Sequence, residues 1–456
     1  MRHLILLSLA AALPLAAQDT RTVTEPVVPP SCSVLTARLM SSSSGIAEKD
    51  EERLDTVRIQ HALDTCRDGR AVVLRSRGRA RAFLSGPLEL RKGVTLLIDH
   101  GVTLYASRDP KLYETTPGSC GVVNDQRNGC RPLISVDHVT GAAVMGDGAI
   151  DGRGGAKLLH QDVTWWQLAE QARAGGRQQV PRLIVADSAN DFTIYRITMR
   201  NSPNFHVVYN HGDGFTVWGL VIDTPRRGAR NTDGVDPGGS RNVTITQSYI
   251  RTGDDNVAIK GGEAVSNITI SHNHFYWGHG MSIGSETNGG VNHIRVTDLS
   301  LDGPDSGIRI KSMGTRGGLV EDVVYDDVCI RKSPRPIDIS AAYSANGPVK
   351  GDSPPTFRDI TLRNVRISGG GKILFEGYDA THRASVALDN VQITDEDTYT
   401  YSLKHADLFF GPGPVNLKPP TGLDSKVHGD SQTSIASSCN SRFVPFPATS
   451  SIPVAP

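Results

Sequence analysis

A short alternating unit recurs along this chain, and it restricts the possible folds more than any other feature. The unit places apolar residues two apart, then a polar pair, then another apolar pair. It reads Phe192-Thr193-Ile194 with Ile197 and Met199, then Phe215-Thr216-Val217 with Leu220 and Ile222. It returns as Val243-Thr244-Ile245 with Tyr249, Ile268-Thr269-Ile270 with Phe275, and Ile294-Arg295-Val296 with Leu299. Later copies begin at Val323, Ile360 and Val386, so the intervals between starts are 23, 28, 25, 26, 29, 37 and 26 residues. A period of about 20–30 residues with two-residue alternation inside it marks a solenoid. No amphipathic helix fits within the copies, which disfavours leucine-rich and helical repeats, and propeller blades need about 40 residues. The expected fold is all-β: a right-handed parallel β-helix of three short strands per coil. Each coil buries its apolar face against the coils above and below.

The same alternation begins earlier, at Val94-Thr95-Leu96 and Val102-Thr103-Leu104. The expected organisation is a signal peptide over residues 1–17, an N-terminal segment over 18–69, a β-helix over 70–398, and a tail rich in Pro, Gly and Ser over 399–456. The first coil needs a cap against edge-to-edge pairing, and residues 56–66 (TVRIQHALDTC) are the best helix for it. An insertion over 157–177, around Trp165 and Trp166, also reads as partly helical. The 37-residue interval predicts a loop over 344–355.

Residues 1–17 carry a short positive start and an apolar run ending in small residues, the pattern of a cleavable export signal. That run is shorter than the roughly 20 residues a membrane span needs. A secreted protein, extracellular or periplasmic, is the expectation. Six cysteines (Cys32, Cys66, Cys120, Cys130, Cys329, Cys439) suit an oxidising compartment, and their spacing lacks the paired units of a zinc site. Six cysteines allow about 15 pairings; the preferred one joins neighbours in order. Lys plus Arg equals Asp plus Glu at 48 each, so neither nucleic acid nor an anionic membrane is expected as a partner. An acidic substrate must then be gripped by a few placed cations. The sequons at Asn242 and Asn267 occupy equivalent repeat positions and read as an asparagine turn in each coil.

Four polar motifs fall about one coil apart: NTDG at 231–234, GDDNVAIK at 253–260, GHGMSIGS at 278–285 and RIK at 309–311. Taken singly they are ordinary. An Asp beside Gly is commonly a turn residue, and Arg-x-Lys on a strand a solvated face. The coil period stacks them on one outer face, about 4.8 Å per coil. An adjacent Asp pair with a third carboxylate one coil below is electrostatically costly, since like charges at this range resist joint ionisation. Stability alone does not select it. The neighbouring carboxylates are expected to raise the proton affinity of Asp254.

These motifs, with FLSGPLEL at 83–90, SCGVV at 119–123 and NSPNFHVV at 201–208, resemble glycoside hydrolase family 28, the polygalacturonases, over residues 30–395. The resemblance is greatest to bacterial endo-polygalacturonases. It implies hydrolysis of α-1,4-galacturonosidic bonds of polygalacturonate (pectin) with inversion, by a monomer without cofactor or metal. It implies Asp254 as general acid, Asp233 and Asp255 as the pair that activates water, and His279 as the residue tuning the acid. It also implies that Arg309 and Lys311 grip substrate carboxylates, and that Asn231 and Tyr343 line the site. The alternatives are an exo-polygalacturonase or rhamnogalacturonan hydrolase, a calcium-dependent lyase on the same fold, and a non-catalytic carbohydrate-binding β-solenoid. The last explains the repeat but not the stacked charges.

Overall fold

A computed structural model describes residues 18–42, 45–343, 351–432 and 439–448. The repeat predicts the ladder position by position. Phe192, Phe215, Val243, Ile268, Ile294, Val323, Ile360 and Val386 are consecutive register partners in parallel pairs, one per coil. All eight are buried, so each start stacks on the next through the interior of a parallel β-helix. Each coil gives one strand to an 11-stranded sheet, here the narrow sheet, and one or two to a 20-stranded broad sheet.

The corners are set by residues that tolerate left-handed backbone. Just before the repeat starts stand Asp191, Asn242, Asn267, His293, Asp322 and Asp359, all with φ between +49° and +58°. Four residues after them, Arg196, Gln247, His272, Asp298, Asp327, Asn364 and Asn390 repeat the conformation. Asn, Asp and His adopt it most readily because their short polar side chains bond locally. Asn242 and Asn267 are thus turn residues, as their repeat positions imply.

At the N-terminal end, helix α1 (Thr56–Thr65) buries Ile59, Ala62 and Leu63, a single i, i+3, i+4 stripe, against the first coils. Asp55 ties it down: its carboxylate accepts from the Leu84 amide at 3.2 Å and pairs with Arg58 at 2.6 Å. The ladder starts before residue 70, because Ser31–Thr36 pairs in parallel with Arg70–Arg75. It also continues past 398. Tyr399–Lys404 pairs with Gly371–Glu376, and Ala406–Phe410 with Ala384–Ile393. The tail expected over 399–456 therefore begins with another coil, and residues 439–448 return to pack on the broad sheet. Disulfides join Cys32–Cys66, Cys120–Cys130 and Cys329–Cys439, the in-order pairing.

Within the 157–177 insertion, helix α2 (Trp165–Gln171) is closed by a Thr164–Gln167 capping box and buries Trp165, Leu168 and Ala169. Residues 1–17 and 344–350, where a signal and part of a loop are expected, lie outside the described residues. Among the described residues no helix is long and apolar enough to cross a membrane.

Candidate active site

The four polar motifs meet on the outer face of the narrow sheet, at strands Val235–Gly238, Val257–Ile259, Met281–Ile283 and Ser306–Lys311. Val235 pairs with Val257 and Val257 with Met281. Asp233, Asp255 and His279 each precede their strand by two residues, so they hold equivalent places in successive coils. Asp254 sits one residue earlier. Further along the strands, Ser282 pairs with Arg309 and Arg309 with Asp338.

The small polar residues of these motifs lock the carboxylate loops together. The Thr232 hydroxyl donates to the Ala229 carbonyl at 2.6 Å and accepts from the Gly253 amide at 3.0 Å. Asn256 donates to the Ile250 and Trp277 carbonyls, both at 3.1 Å, and accepts from the Gly280 amide at 2.9 Å. Buried His206, from the NSPNFHVV run, lies 2.9 Å from both the Asp233 carbonyl and the Thr224 hydroxyl. Burial pushes its pKa down to about 4, so it is a neutral brace that fixes the Asp233 backbone. Gly280 is required where the chain crosses its neighbour: a Cβ there would lie 2.0 Å from the Ser306 carbonyl oxygen.

Asp255, 1 % exposed, is the hub of the charges. Its Oδ2 lies 2.7 Å from Lys311 Nζ and 4.0 Å from Lys260 Nζ; its Oδ1 lies 3.2 Å from Arg309 Nη1 and accepts from the Ser282 hydroxyl at 2.7 Å. Lys260 Nζ also faces Asp233 at 3.4 Å and Asp236 at 3.9 Å. His279 Nδ1 stands 2.9 Å from Asp254 Oδ1, while its Nε2 faces Asp305 at 3.7 Å.

These contacts divide the proton affinities. Burial raises that of Asp255, but Lys311, Arg309 and Lys260 outweigh it and hold the carboxyl far below the ordinary range. Asp233 shifts the opposite way: burial pushes it well up, and Asp236 and Asp254 add to the rise. Burial likewise takes Asp236 up to about 7, against the pull of Lys260. Asp254 corrects the expectation from sequence. Burial and Asp255 do raise it, but the hydrogen bond from His279, with the charges of His279 and Lys311, brings its net value below the ordinary one. His279 is raised in return, since the bond to Asp254 and the charges of Asp254 and Asp255 exceed its burial penalty. The two shifts have the same sense: the contact favours the charged form of each partner.

Tyr343 falls beside the two cations: its ring centroid is 5.2 Å from Arg309 Cζ and 5.3 Å from Lys311 Nζ. Asn231, at φ +57°, accepts from Gln178 Nε2 at 3.4 Å and lines a groove of about 760 Å³ with Arg127, Arg177, Arg182, Asn204 and Phe205. One wall is the insertion after α2, whose strand Arg177–Gln179 pairs antiparallel with Val122–Asn124. Arg182 lies over the Phe205 ring at 5.4 Å. Arg182 and Phe205 also border a second hollow, of about 440 Å³, that reaches Asp236 and Lys260.

Asp254, Asp255 and His279 bring possible ligand atoms within 4.8 Å of one another. Lys311, Arg309 and Lys260 already neutralise Asp255, so a metal there would meet three positive groups. The donor set does not fit a resident cation.

Four residues of this cluster went unassigned in the sequence: Asp236, Lys260, Ser282 and Asp338. Their signal was strand alternation. Asp236 follows Val235, Ser282 lies between Met281 and Ile283, and Asp338 between Ile337 and Ile339. Each of these three is therefore the outward residue of a narrow-sheet strand, and Lys260 directly follows the strand Val257–Ile259.

Comparison with known proteins agrees with this fold. The model of the family "Glycosyl hydrolases family 28" matches residues 80–407. An endo-polygalacturonase of Pectobacterium carotovorum subsp. carotovorum is 43% identical over 387 residues, covering 84% of this chain and 92% of that protein. A polygalacturonase of Ralstonia solanacearum is 36% identical, covering 98% of each chain. The solved polygalacturonase from Erwinia carotovora ssp. carotovora superposes with a TM-score of 0.79 at 43% identity, over 86% of this chain and 100% of that one. The Yersinia enterocolitica family 28 exopolygalacturonase, at 20% identity and a TM-score of 0.70 over 89% of this chain and 79% of that one, shares the fold. The matched span, the identities and the stacked motifs together make this chain a member of glycosyl hydrolases family 28.

Proposed function

We propose that this protein is a secreted endo-polygalacturonase, hydrolysing α-1,4-galacturonosidic bonds inside polygalacturonate with inversion. The observation that carries the reading is the paired arrangement around Asp255 and Asp254. One buried carboxylate is paired with Arg309 and Lys311, beside a second whose Oδ1 lies 2.9 Å from His279 Nδ1. The names of the relatives at 36–43% identity supply the substrate. The three disulfides and the signal-like N-terminus favour export. One chain provides the whole cluster, which suits a monomer.

A galacturonate carboxylate is bound by Arg309 and Lys311, the first with a planar fork and the second as a point charge. Tyr343 and Asn231 border the sugar, and the arginine-lined groove beyond Asn231 takes further acidic residues of the chain. Seating a carboxylate on Lys311 cancels part of the field that depresses Asp254. The proton affinity of Asp254 rises, and the proton shared with His279 moves onto it. Asp254 then protonates the leaving glycosidic oxygen as the bond to the anomeric carbon breaks. A water held between Asp255 and Asp233 attacks from the opposite face and gives its proton to Asp233, which enters the step ionised and whose raised proton affinity makes it the stronger base of the two. This is the acid–base division that inversion requires.

Digestion of polygalacturonate in the presence of a chelator tests the reading. A rapid spread of saturated oligomers is expected, with no absorbance from unsaturated ends. Monomer alone would mean exo action, and unsaturated product a lyase. With no product, rhamnogalacturonan becomes the substrate to try, and then the binding-only solenoid.

A further inference from the structure

Residues 439–448 run across the broad sheet directly behind the loops that carry Asp254 and His279. Four contacts anchor the segment: the Cys439–Cys329 disulfide, Arg442 against Asp298, Arg442 against Asp327 at 2.9 Å, and Phe443 against Arg331, with Cζ 4.3 Å from the ring centroid. Its far end reaches the catalytic loops. The Tyr276 hydroxyl donates to the Val444 carbonyl at 3.0 Å, and the Tyr276 and Phe446 rings meet edge-on at 5.1 Å. Arg251 is sandwiched, its Cζ 3.8 Å from the Phe446 ring centroid and 4.4 Å from that of Trp277. Its Nε pairs with Asp223 at 2.6 Å.

Arg251 lies three residues before Asp254, and Tyr276 three before His279. The two loops are cross-bonded just beyond these points. The Trp277 carbonyl accepts from the Thr252 amide at 3.3 Å and from Asn256 Nδ2 at 3.1 Å, and the His279 amide donates to the Asp254 carbonyl at 2.8 Å. The Trp277 indole is pinned by its own bond to the Thr224 carbonyl at 2.9 Å.

We propose that residues 439–448 form a positioning strap, in which Phe446 clamps Arg251 and Tyr276 and so sets the register between His279 Nδ1 and the Asp254 carboxylate. The groups that face His279 are Asp254, Asp255, Asp305 and Arg309, whereas Val444 and Phe446 meet Tyr276 and Arg251. Its effect is carried by backbone placement alone. Misplacement of a proton donor by about 1 Å can cost about a hundredfold in rate, so a partial shift has a measurable consequence.

This inference rests on the hydrolase reading, and the test separates the two. Activity of the parent on polygalacturonate is established first; an inactive parent overturns that reading before any variant is made. Phe446→Ala is then assayed well below its melting temperature. The strap predicts kcat lower by about tenfold, KM nearly unchanged, and an alkaline limb moved to lower pH. Phe446→Tyr should recover all three. Adding Phe446→Ala to His279→Ala should cost no further activity. Tyr276→Phe, which removes only the hydroxyl bond to Val444, should move the limb the same way by less, and it serves if Phe446→Ala folds poorly. An active parent with variants that lose only melting temperature, or an equal loss in the His279→Ala background, would overturn the proposal.

Discussion

At the scale of single residues, proton placement carries the account. Asp254→Asn keeps the volume and removes the acid, so kcat should fall by about 10²–10⁴-fold while oligogalacturonate binding survives, checked by initial rates and calorimetry. Near-normal turnover would contradict the assignment. The Asp254–His279 pair holds one proton from the lowered value of Asp254 up to the raised value of His279. Activity should decline as pH climbs through that upper value. In His279→Ala the proton rests on Asp254 alone, and the decline should move to lower pH in a kcat/KM profile. Asp233 bears on stability with the opposite sign to a salt-bridged carboxylate. Its folded pKa is raised, so its favourable contribution is complete below the unfolded value of about 3.9 and is lost as pH rises through the folded one. Asp233→Asn should therefore gain melting temperature relative to the parent as pH goes from 4 to 7, while losing activity. A gain that shrinks over that range would contradict the sign.

At the scale of elements, register was legible because hydrophobic pattern and turn chemistry agree in every coil. The β-branched and aromatic starts pair coil to coil, and the non-glycine left-handed corners carry Asn, Asp or His at all the described repeat positions except Arg196 and Gln247. Two substitutions probe this separately by thermal or denaturant unfolding. Ile294→Ala removes one rung of the buried stack and should cost about 2–5 kcal/mol. Asn267→Val, at φ +58°, should cost about 1–2 kcal/mol, whereas Asn267→Gly should be nearly neutral. The same local logic brought out Asp233, Asp254, Asp255, His279, Arg309 and Lys311, since one residue per coil repeats along a face. The lowered proton affinity of Asp254 was not legible. It depends on which ring nitrogen of His279 meets which oxygen, and coil counting gives stacking without that contact.

At the scale of the whole molecule, the solenoid has two long faces with separate tasks. The narrow sheet presents the charges, and its groove runs on toward the N-terminal coils between the α2 insertion and the Cys120–Cys130 loop. The broad sheet is braced by the C-terminal segment. Its Pro, Gly and Ser content read as a loose tail because its partners are remote: Cys439 bonds to Cys329 across 110 residues, and Val444 meets Tyr276 across 168. The in-order cysteine pairing anticipated the first of these contacts, but no local pattern announces the second. Proton NMR of polygalacturonate during the first minutes of digestion tests the central claim most directly, with the parent and Asp254→Asn run side by side. Inversion at an α-linked sugar predicts β-anomeric reducing ends appearing first and mutarotating afterwards, with no vinylic proton and no new ends from the variant. Vinylic signals, α-anomers formed first, or an active Asp254→Asn would contradict it.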